Sequence, residues 1–161
     1  MGVRGLTTFL AQHASRYLDP HELRDCNLVI DGDNLCTQLY KQCDSGLSAF
    51  GGNYDEYFRT VVEFFAMLRK CNVTPYVLLD GGYEMRKMKT TKERLRSRIA
   101  VIKYIIPLES YMAMPLMMRE VFVSAAKSCN VKVYRCFFEA DNEIGVLIIK
   151  LKILNSDFEI S

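Results

Sequence analysis

The sequence contains no apolar run long enough to cross a membrane and no leader pattern at its start. Half of its 161 residues are hydrophobic, but no apolar stretch approaches the roughly 18 residues of a membrane span. The first residues lack the basic and then apolar order of a signal peptide. Leu6 also stands where a myristoylation motif has Ser or Thr. We therefore expect an intracellular α/β protein without a membrane anchor.

Clusters of histidine or cysteine are also missing. The two histidines, His13 and His21, are isolated, and a structural or surface role is expected for both. The six cysteines never approach a Cys-x-x-Cys spacing, so we expect reduced thiols that lie mostly in the core. Any metal site would therefore depend on oxygen ligands.

Acidic residues recur in this chain at the points where apolar runs stop. Asp31 and Asp80 each end such a run, Glu139 and Asp141 follow a third, and Asp157 follows a fourth. In a parallel sheet with helical crossovers, ligands bind beyond the carboxyl ends of the strands. The pattern predicts that these carboxylates converge at one edge of the sheet.

Several like charges in one small space require a cation. Ligation by oxygen alone indicates a hard divalent ion such as Mg²⁺ or Mn²⁺, and magnesium usually acts on phosphates. The chemistry that the pattern favours is metal-assisted hydrolysis of a phosphodiester.

Basic residues are concentrated in one block directly after Asp80. Residues 84–103 contain eight basic and two acidic side chains, a net charge of +6, whereas the rest of the chain carries −4 and the whole chain +2. A basic block beside an acidic cluster suits a nuclease, which must both hold and cut a phosphate backbone. A solvated helix face is the alternative reading of the block alone.

The order of elements alternates between strand and helix. This alternation predicts an α/β fold with a central, mostly parallel sheet and right-handed crossovers. Apolar periodicity and cap signals predict helices over 6–17 and 34–43, from the N-cap Asn53 onward, from Thr91 after a capping box at Thr90 and Glu93, from Pro115 to 129, and from Glu139 onward. The same signals predict strands over 27–31, 75–80, 131–137 and 152–155.

Several short motifs share their order and spacing with one nuclease superfamily. They are Met1-Gly-Val-Arg-Gly-Leu, Ile30-Asp-Gly, Leu79-Asp-Gly-Gly, the Arg-Glu-Val-Phe segment 119–122, Glu139-Ala-Asp, and Ser156-Asp-Phe. Together they resemble the amino-terminal and internal regions of the flap endonuclease (XPG/Rad2-like) superfamily, whose core is a PIN-like domain. Within it, the chain is most similar to the asteroid family. The resemblance covers nearly the whole chain.

The resemblance implies a metal site with named ligands. Asp31, Asp80, Glu139 and Asp141 match the carboxylates of the first metal, and Asp157 matches an acidic position that helps to hold a second. Up to two Mg²⁺ or Mn²⁺ ions are implied, and they would support the in-line displacement of two-metal phosphodiesterases.

The resemblance also implies contacts with nucleic acid. Lys87 and Arg94 match a catalytic basic pair that contacts the scissile phosphate, Arg98 would be an auxiliary phosphate contact, and Gly2 would pack beside the substrate. The implied substrate is DNA that is branched or carries single-stranded overhangs, and the implied location is the nucleus.

Each assignment has a simpler alternative. Asp31 and Asp80 precede glycines and could be turn residues, and Asp141 could serve as a helix cap. Asp33 and Glu143 are expected to be solvated or capping acids. The basic residues of the 84–103 block could be ordinary surface charges.

Departures from the family pattern leave the level of activity open. The family usually has an Asp-x-Asp pair where this chain offers Asp157 alone, and such a loss would weaken the second metal site. One reading is therefore a metal-dependent, structure-selective endonuclease. Another is a catalytically weak or inactive module that binds nucleic acid or protein. A phosphatase or other two-metal hydrolase fits the carboxylates but explains the basic block less well.

The expected organisation is a single PIN-like domain over 1–161, truncated at its C-terminus. Residues 1–106 form the N-terminal nuclease region, with a basic, arch-like segment at 84–106, and residues 116–161 form an incomplete internal region. The chain would be either a truncated product or a minimal domain. Its fourth strand would lie near an open sheet edge, which invites a protein partner.

Overall fold

A computed structural model of the chain describes residues 5–17, 22–43, 52–82, 85, 88–104, 114–115, 117–154 and 158–160. The helices are α1 (Leu6–Gln12), α2 (Ala14–Tyr17), α3 (Gly32–Cys43), α4 (Tyr54–Lys70), α5 (Met88–Tyr104), α6 (Met118–Ser128) and α7 (Ala140–Leu154). The strands are β1 (Asn27–Asp31), β2 (Thr74–Leu79), β3 (Lys132–Arg135) and β4 (Phe158–Ile160).

The four strands form one parallel sheet in the order β3-β2-β1-β4. Asp31 pairs in register with Leu78, and Leu79 pairs with Arg135. Since all the strands run in the same direction, the carboxyl ends of β1, β2 and β3 lie at one edge of the sheet. The predicted α/β class with parallel pairing is confirmed.

The two central strands are buried on both faces, which explains their continuous apolar sequences. Leu28 and Ile30 of β1 belong to a cluster with α3, α4 and α6, whereas Val29 belongs to a cluster with α7. Leu78 of β2 likewise contacts the α7 side. Successive side chains of a strand point to opposite faces, and helices cover both faces of this sheet.

Large side chains fill the core on the α3, α4 and α6 side. Tyr57, Val61 and Phe122 are fully buried there. The Tyr57 hydroxyl donates to the carbonyl of Cys36 at 3.0 Å and contacts its Sγ at 3.2 Å. These contacts join α3 to α4 beneath the sheet.

The N-cap expected before α4 is confirmed. The Asn53 side-chain oxygen accepts the N–H of Glu56 at 3.2 Å, and its amide donates to the Glu56 carboxylate at 2.8 Å. The first of these contacts satisfies one backbone N–H that the first helical turn leaves open, and the second links the two side chains.

The cysteines are free thiols, as expected, and four of the six are buried. Burial raises the pKa of the Cys36 thiol to about 11, so that thiol stays protonated at neutral pH. Within the described ranges, no helix is long and apolar enough to cross a membrane.

Several predicted boundaries are wrong. Residues 152–154 continue α7, and the fourth strand is Phe158–Ile160 instead of 152–155. Helix α5 begins at Met88, so Thr90 lies inside it and does not cap it, and the opening helix is divided at His13. β3 is shorter than the predicted 131–137. The corrected fourth strand still lies at a sheet edge, beside β1.

Candidate active site

Two aspartates lie at the carboxyl ends of the two central strands. Asp31 is the last residue of β1, and Asp80 directly follows Leu79, the last residue of β2. The Asp31 carboxylate accepts the N–H of Asn34 at 3.0 Å in the first turn of α3. Parallel pairing of the two strands brings both carboxylates to the same edge of the sheet, as the sequence pattern predicts for these two residues.

The acidic pair Glu139 and Asp141 reaches this edge at the start of α7. Glu139 and Asp141 flank Ala140, the first residue of that helix. The N–H of Ala140 donates to the Asp80 carboxylate at 2.7 Å. Because the amino end of a helix favours negative charge, α7 stabilises Asp80 and places its own acidic pair beside it.

Asp33 links three elements at this edge. One of its carboxylate oxygens accepts the Asp80 main-chain N–H at 2.7 Å and the Arg119 guanidinium at 3.2 Å. Arg119 also donates to the main-chain carbonyl of Asp80. The pair of Asp33 on α3 and Arg119 on α6 therefore holds Asp80 by both its main-chain N–H and its main-chain carbonyl.

We call Asp33 and Arg119, which together hold the main chain of Asp80, the clip. The sequence did not predict it. Asp33 was expected to be a solvated or capping acid, and Arg119 was only part of a family motif without a role. Asp33 does lie in the first turn of α3, but its partners are 47 and 86 residues away in the chain. Only the fold brings them together.

The carboxylates at this edge influence one another electrostatically. Burial raises the pKa of Asp33, the Asp80 N–H and Arg119 lower it, and the charges of Asp80 and Asp31 raise it, with a net upward shift. The charges of Asp80 and Asp31 thus disfavour the ionised form of Asp33, in the same direction as its burial.

The loops that follow β2 and β3 are joined by main-chain hydrogen bonds. Gly81 N–H donates to the Phe138 carbonyl at 2.6 Å, and Gly82 N–H donates to the Phe137 carbonyl at 2.9 Å. The Glu143 carboxylate accepts the Phe137 N–H at 3.0 Å. A Cβ on Gly81 would lie 1.8 Å from the Cys136 carbonyl oxygen, so this close approach of two backbones requires glycine.

The remaining predicted site residues cannot be placed in the same way. Gly2, Lys87 and Asp157 lie outside the described residues. The backbone places Arg94 and Arg98 on α5, one helical turn apart. Because residues 152–154 are helical and β4 begins at Phe158, the premise that Asp157 follows the fourth strand is wrong. Its metal role stays a prediction.

The donor chemistry at this edge fits a hard divalent cation. The side chains are carboxylates, they come from adjacent strand ends, and Asp80 and Asp141 are exposed at the surface. In the parts of the chain that the structure covers, however, no group of three or more acidic, histidine or cysteine side chains is already arranged to hold an ion.

Comparison with known proteins agrees with this architecture. The profile of the XPG N-terminal domain matches residues 1–100. The chain is 56% identical over 151 residues to "Protein asteroid" of Drosophila melanogaster, a match that covers 94% of this chain and 18% of that protein. It is 37% identical over 149 residues to "Single-strand DNA endonuclease ASTE1" of Homo sapiens, covering 91% of this chain and 22% of that protein. The chain thus spans about a fifth of the length of these relatives.

Solved structures show the same fold. The catalytic core of Rad2 in complex with DNA substrate (complex III) aligns with a TM-score of 0.62 at 14% identity, covering 94% of this chain and 43% of that one. Complex IV aligns with a TM-score of 0.57 at 16% identity, covering 99% and 43%. The profile match and the two sequence relatives show that the chain belongs to the asteroid family of XPG-like nuclease domains, and the Rad2 cores share its fold.

Proposed function

We propose that this chain is a metal-dependent, structure-selective endonuclease domain that hydrolyses phosphodiester bonds in branched or overhanging DNA. The observation that carries the proposal is the convergence of Asp31 and Asp80 at one sheet edge, with the amino end of α7 bonded to the Asp80 carboxylate. The family and the fold suggest the class of reaction, and the carboxylate edge is the proposed location of the active site.

The proposed metal ligands are the carboxylates at or beside that edge. Asp31, Asp80, Glu139 and Asp141 would hold one divalent ion, and Asp157 would help with a second on the strength of the family resemblance. A bound divalent ion would supply an activated water and stabilisation of the leaving oxygen. The Asp33 and Arg119 clip would keep Asp80 oriented whether or not an ion is present.

The basic block after Asp80 would hold the phosphate backbone. Lys87 and Arg94 are proposed to contact the scissile phosphate, with Arg98 as an auxiliary contact and Gly2 beside the substrate. Arg94 and Arg98 lie one turn apart on α5, a spacing that lets two side chains of a helix act on neighbouring groups. Phosphate contacts position a substrate without reading its bases, which fits selection by DNA shape.

The substrate and the location extend the proposal beyond the chemistry of the site. The human relative is named a single-strand DNA endonuclease, and the Rad2 cores were solved with DNA. We infer that DNA with single-stranded segments is the substrate here, that Mg²⁺ or Mn²⁺ is the ion, and that the protein acts in the nucleus.

The test is cleavage of end-labelled flap, overhang, hairpin and linear DNA in Mg²⁺ or Mn²⁺. Asp80→Asn keeps an oxygen that can accept the Ala140 N–H but removes the negative charge. We expect the unchanged chain to cut in a structure-dependent way and the variant to cut at least about 100-fold more slowly. Removing one electrostatic group from a reaction centre typically lowers the rate by that much.

Glu63→Gln is the matched control, because Glu63 is an exposed acid in the middle of α4. It should cut at the unchanged rate. Cutting by Asp80→Asn at the rate of the control would contradict the assignment of the carboxylate edge.

A binding module without strong catalysis is the second candidate function. It is favoured by the lack, among the described residues, of a preformed group of three or more metal-binding side chains. On this alternative a protein partner would cover the edge strand β4. DNA binding without any cutting in either metal would favour it over the nuclease proposal.

A further inference from the structure

A groove lies between α6 and the edge strand β3, and it starts beside the carboxylate edge. Its volume is about 390 Å³, within the range of sites for small ligands. Leu79, Val123 and Val133 supply apolar surface. Leu79 is the residue before Asp80, so the groove opens directly beside the proposed active site.

The charged walls of the groove are mostly basic. Arg119, Lys127 and Arg135 line it together with one acid, Glu120. Arg119 and Lys127 are eight residues apart on α6 and therefore about 12 Å apart along the helix axis. Arg135 pairs with Leu79 at the carboxylate end of β3. The cations are thus spread along the groove from its active-site end, which suits successive phosphates better than one isolated anion.

Two exposed aromatic side chains lie at the active-site end of the same strand. Phe137 and Phe138 are 88% and 54% exposed, although their main chains are held by Gly82 and Gly81 in the loop after Asp80. Exposed aromatic rings on a fixed backbone are stacking surfaces for unpaired bases. A base-paired duplex offers no such free faces along its length.

We propose that a single-stranded DNA segment stacks its bases on Phe137 and Phe138 and continues along the α6–β3 groove, with Lys127 and Arg135 holding its phosphates. This inference rests on the proposed nuclease function, for which it supplies the path of the unpaired strand. We expect this path to select unpaired over paired DNA, because only unpaired bases have free faces to stack on the two rings.

The experiment measures fluorescence anisotropy of a labelled oligothymidine strand and of a matching duplex with the full chain in EDTA. Without divalent metal, binding is separated from cutting. Phe137→Ala with Phe138→Ala should weaken single-strand binding about 30-fold or more, because each ring would stack one base. Lys127→Gln with Arg135→Gln should weaken it about 10-fold and lower the slope of log affinity against log salt by about 1.4, as expected for two phosphate contacts.

The controls are exposed residues away from the groove. Lys70→Gln with Lys150→Gln removes the same charge from α4 and α7, and Ile149→Ala removes an apolar side chain that is 60% exposed. All variants change surface residues, and matching circular dichroism and melting would show that they are folded. The controls should bind as the unchanged chain does.

The outcomes separate this inference from the nuclease proposal. Groove and phenylalanine variants that bind with unchanged affinity and salt slope would overturn the strand path even if the chain cuts DNA. Equal affinity of the parent chain for single strand and for duplex would also overturn it. Groove-dependent binding without any metal-dependent cutting would sustain the path and refute only the nuclease.

Discussion

The residues at the carboxylate edge are of two kinds. Some would contact the metal or the substrate, and others hold those residues in position. Asp31 and Asp80 belong to the first kind. Asp33 and Arg119 belong to the second, because their hydrogen bonds go to the main chain of Asp80 and to each other. The sequence identified the first kind by position at strand ends, whereas the second kind depends on contacts between distant elements.

Arg119→Ala should impair the reaction by releasing the backbone of Asp80. We expect about 10- to 100-fold slower cutting, since small displacements of a reacting group have effects of this size. Weaker stabilisation by Mn²⁺ in thermal unfolding should accompany it, because binding to the folded state raises stability by linkage. This second measurement reports the site without requiring turnover.

Arg69→Ala is the matched control for Arg119. Arg69 also donates to a main-chain carbonyl, that of Cys129, which directly follows α6 at the end opposite Arg119. Its removal should leave cutting and Mn²⁺ stabilisation unchanged. Equal losses in both variants would mean that Arg119 acts only by holding α6 in place.

At the scale of elements, local signals located most helices and strands but not all of their ends. The Asn53 cap and the apolar stripe of α4 are local and were read correctly. The start of α5 predicted from the Thr90 and Glu93 pair is wrong, because Met88 and Lys89 are good helix formers and the helix begins before Thr90. Residues 152–154 continue the apolar spacing of α7, and a short apolar run does not distinguish helix from strand. β4 is set by pairing with β1, which is a tertiary contact.

The junction between the loops after β2 and β3 leaves no room for a side chain at Gly81. Gly81→Ala would place a Cβ 1.8 Å from the Cys136 carbonyl oxygen, so one of the two loops must move. We expect a loss of stability of about 1–3 kcal/mol from the strained backbone together with loss of cutting, measured by denaturant unfolding and by the cleavage assay.

Gly145→Ala provides the comparison, because a Cβ there meets nothing within 4 Å in the middle of α7. It should stabilise the chain by about 0.5–1 kcal/mol, the usual difference between the two residues in a helix. An equally benign effect of alanine at both glycines would refute the close approach of the two loops.

For the whole molecule, the sheet is what relates the core to the site. Alternation along β1 sends Leu28 and Ile30 to one face of the sheet and Val29 to the other. Parallel pairing of β1 with β2 brings the strand ends, and hence Asp31 and Asp80, to one edge. The charges are distributed around this frame, with +6 in residues 84–103 and −4 elsewhere. That uneven distribution could be read from the sequence, but which acids face which bases could not.

Phe122 tests whether core and site are one cooperative unit. Its side chain is fully buried and lies three residues after Arg119 on α6, so the helix that fills the core also carries the clip on Asp80. Phe122→Ala should lower the free energy of unfolding by about 3–5 kcal/mol, a large part of the 5–15 kcal/mol typical of a domain. Near the melting midpoint, Mn²⁺ binding should be lost together with helicity in a single transition. Loss of helicity at a lower temperature than loss of metal binding would show instead that the carboxylate edge is held independently of α6.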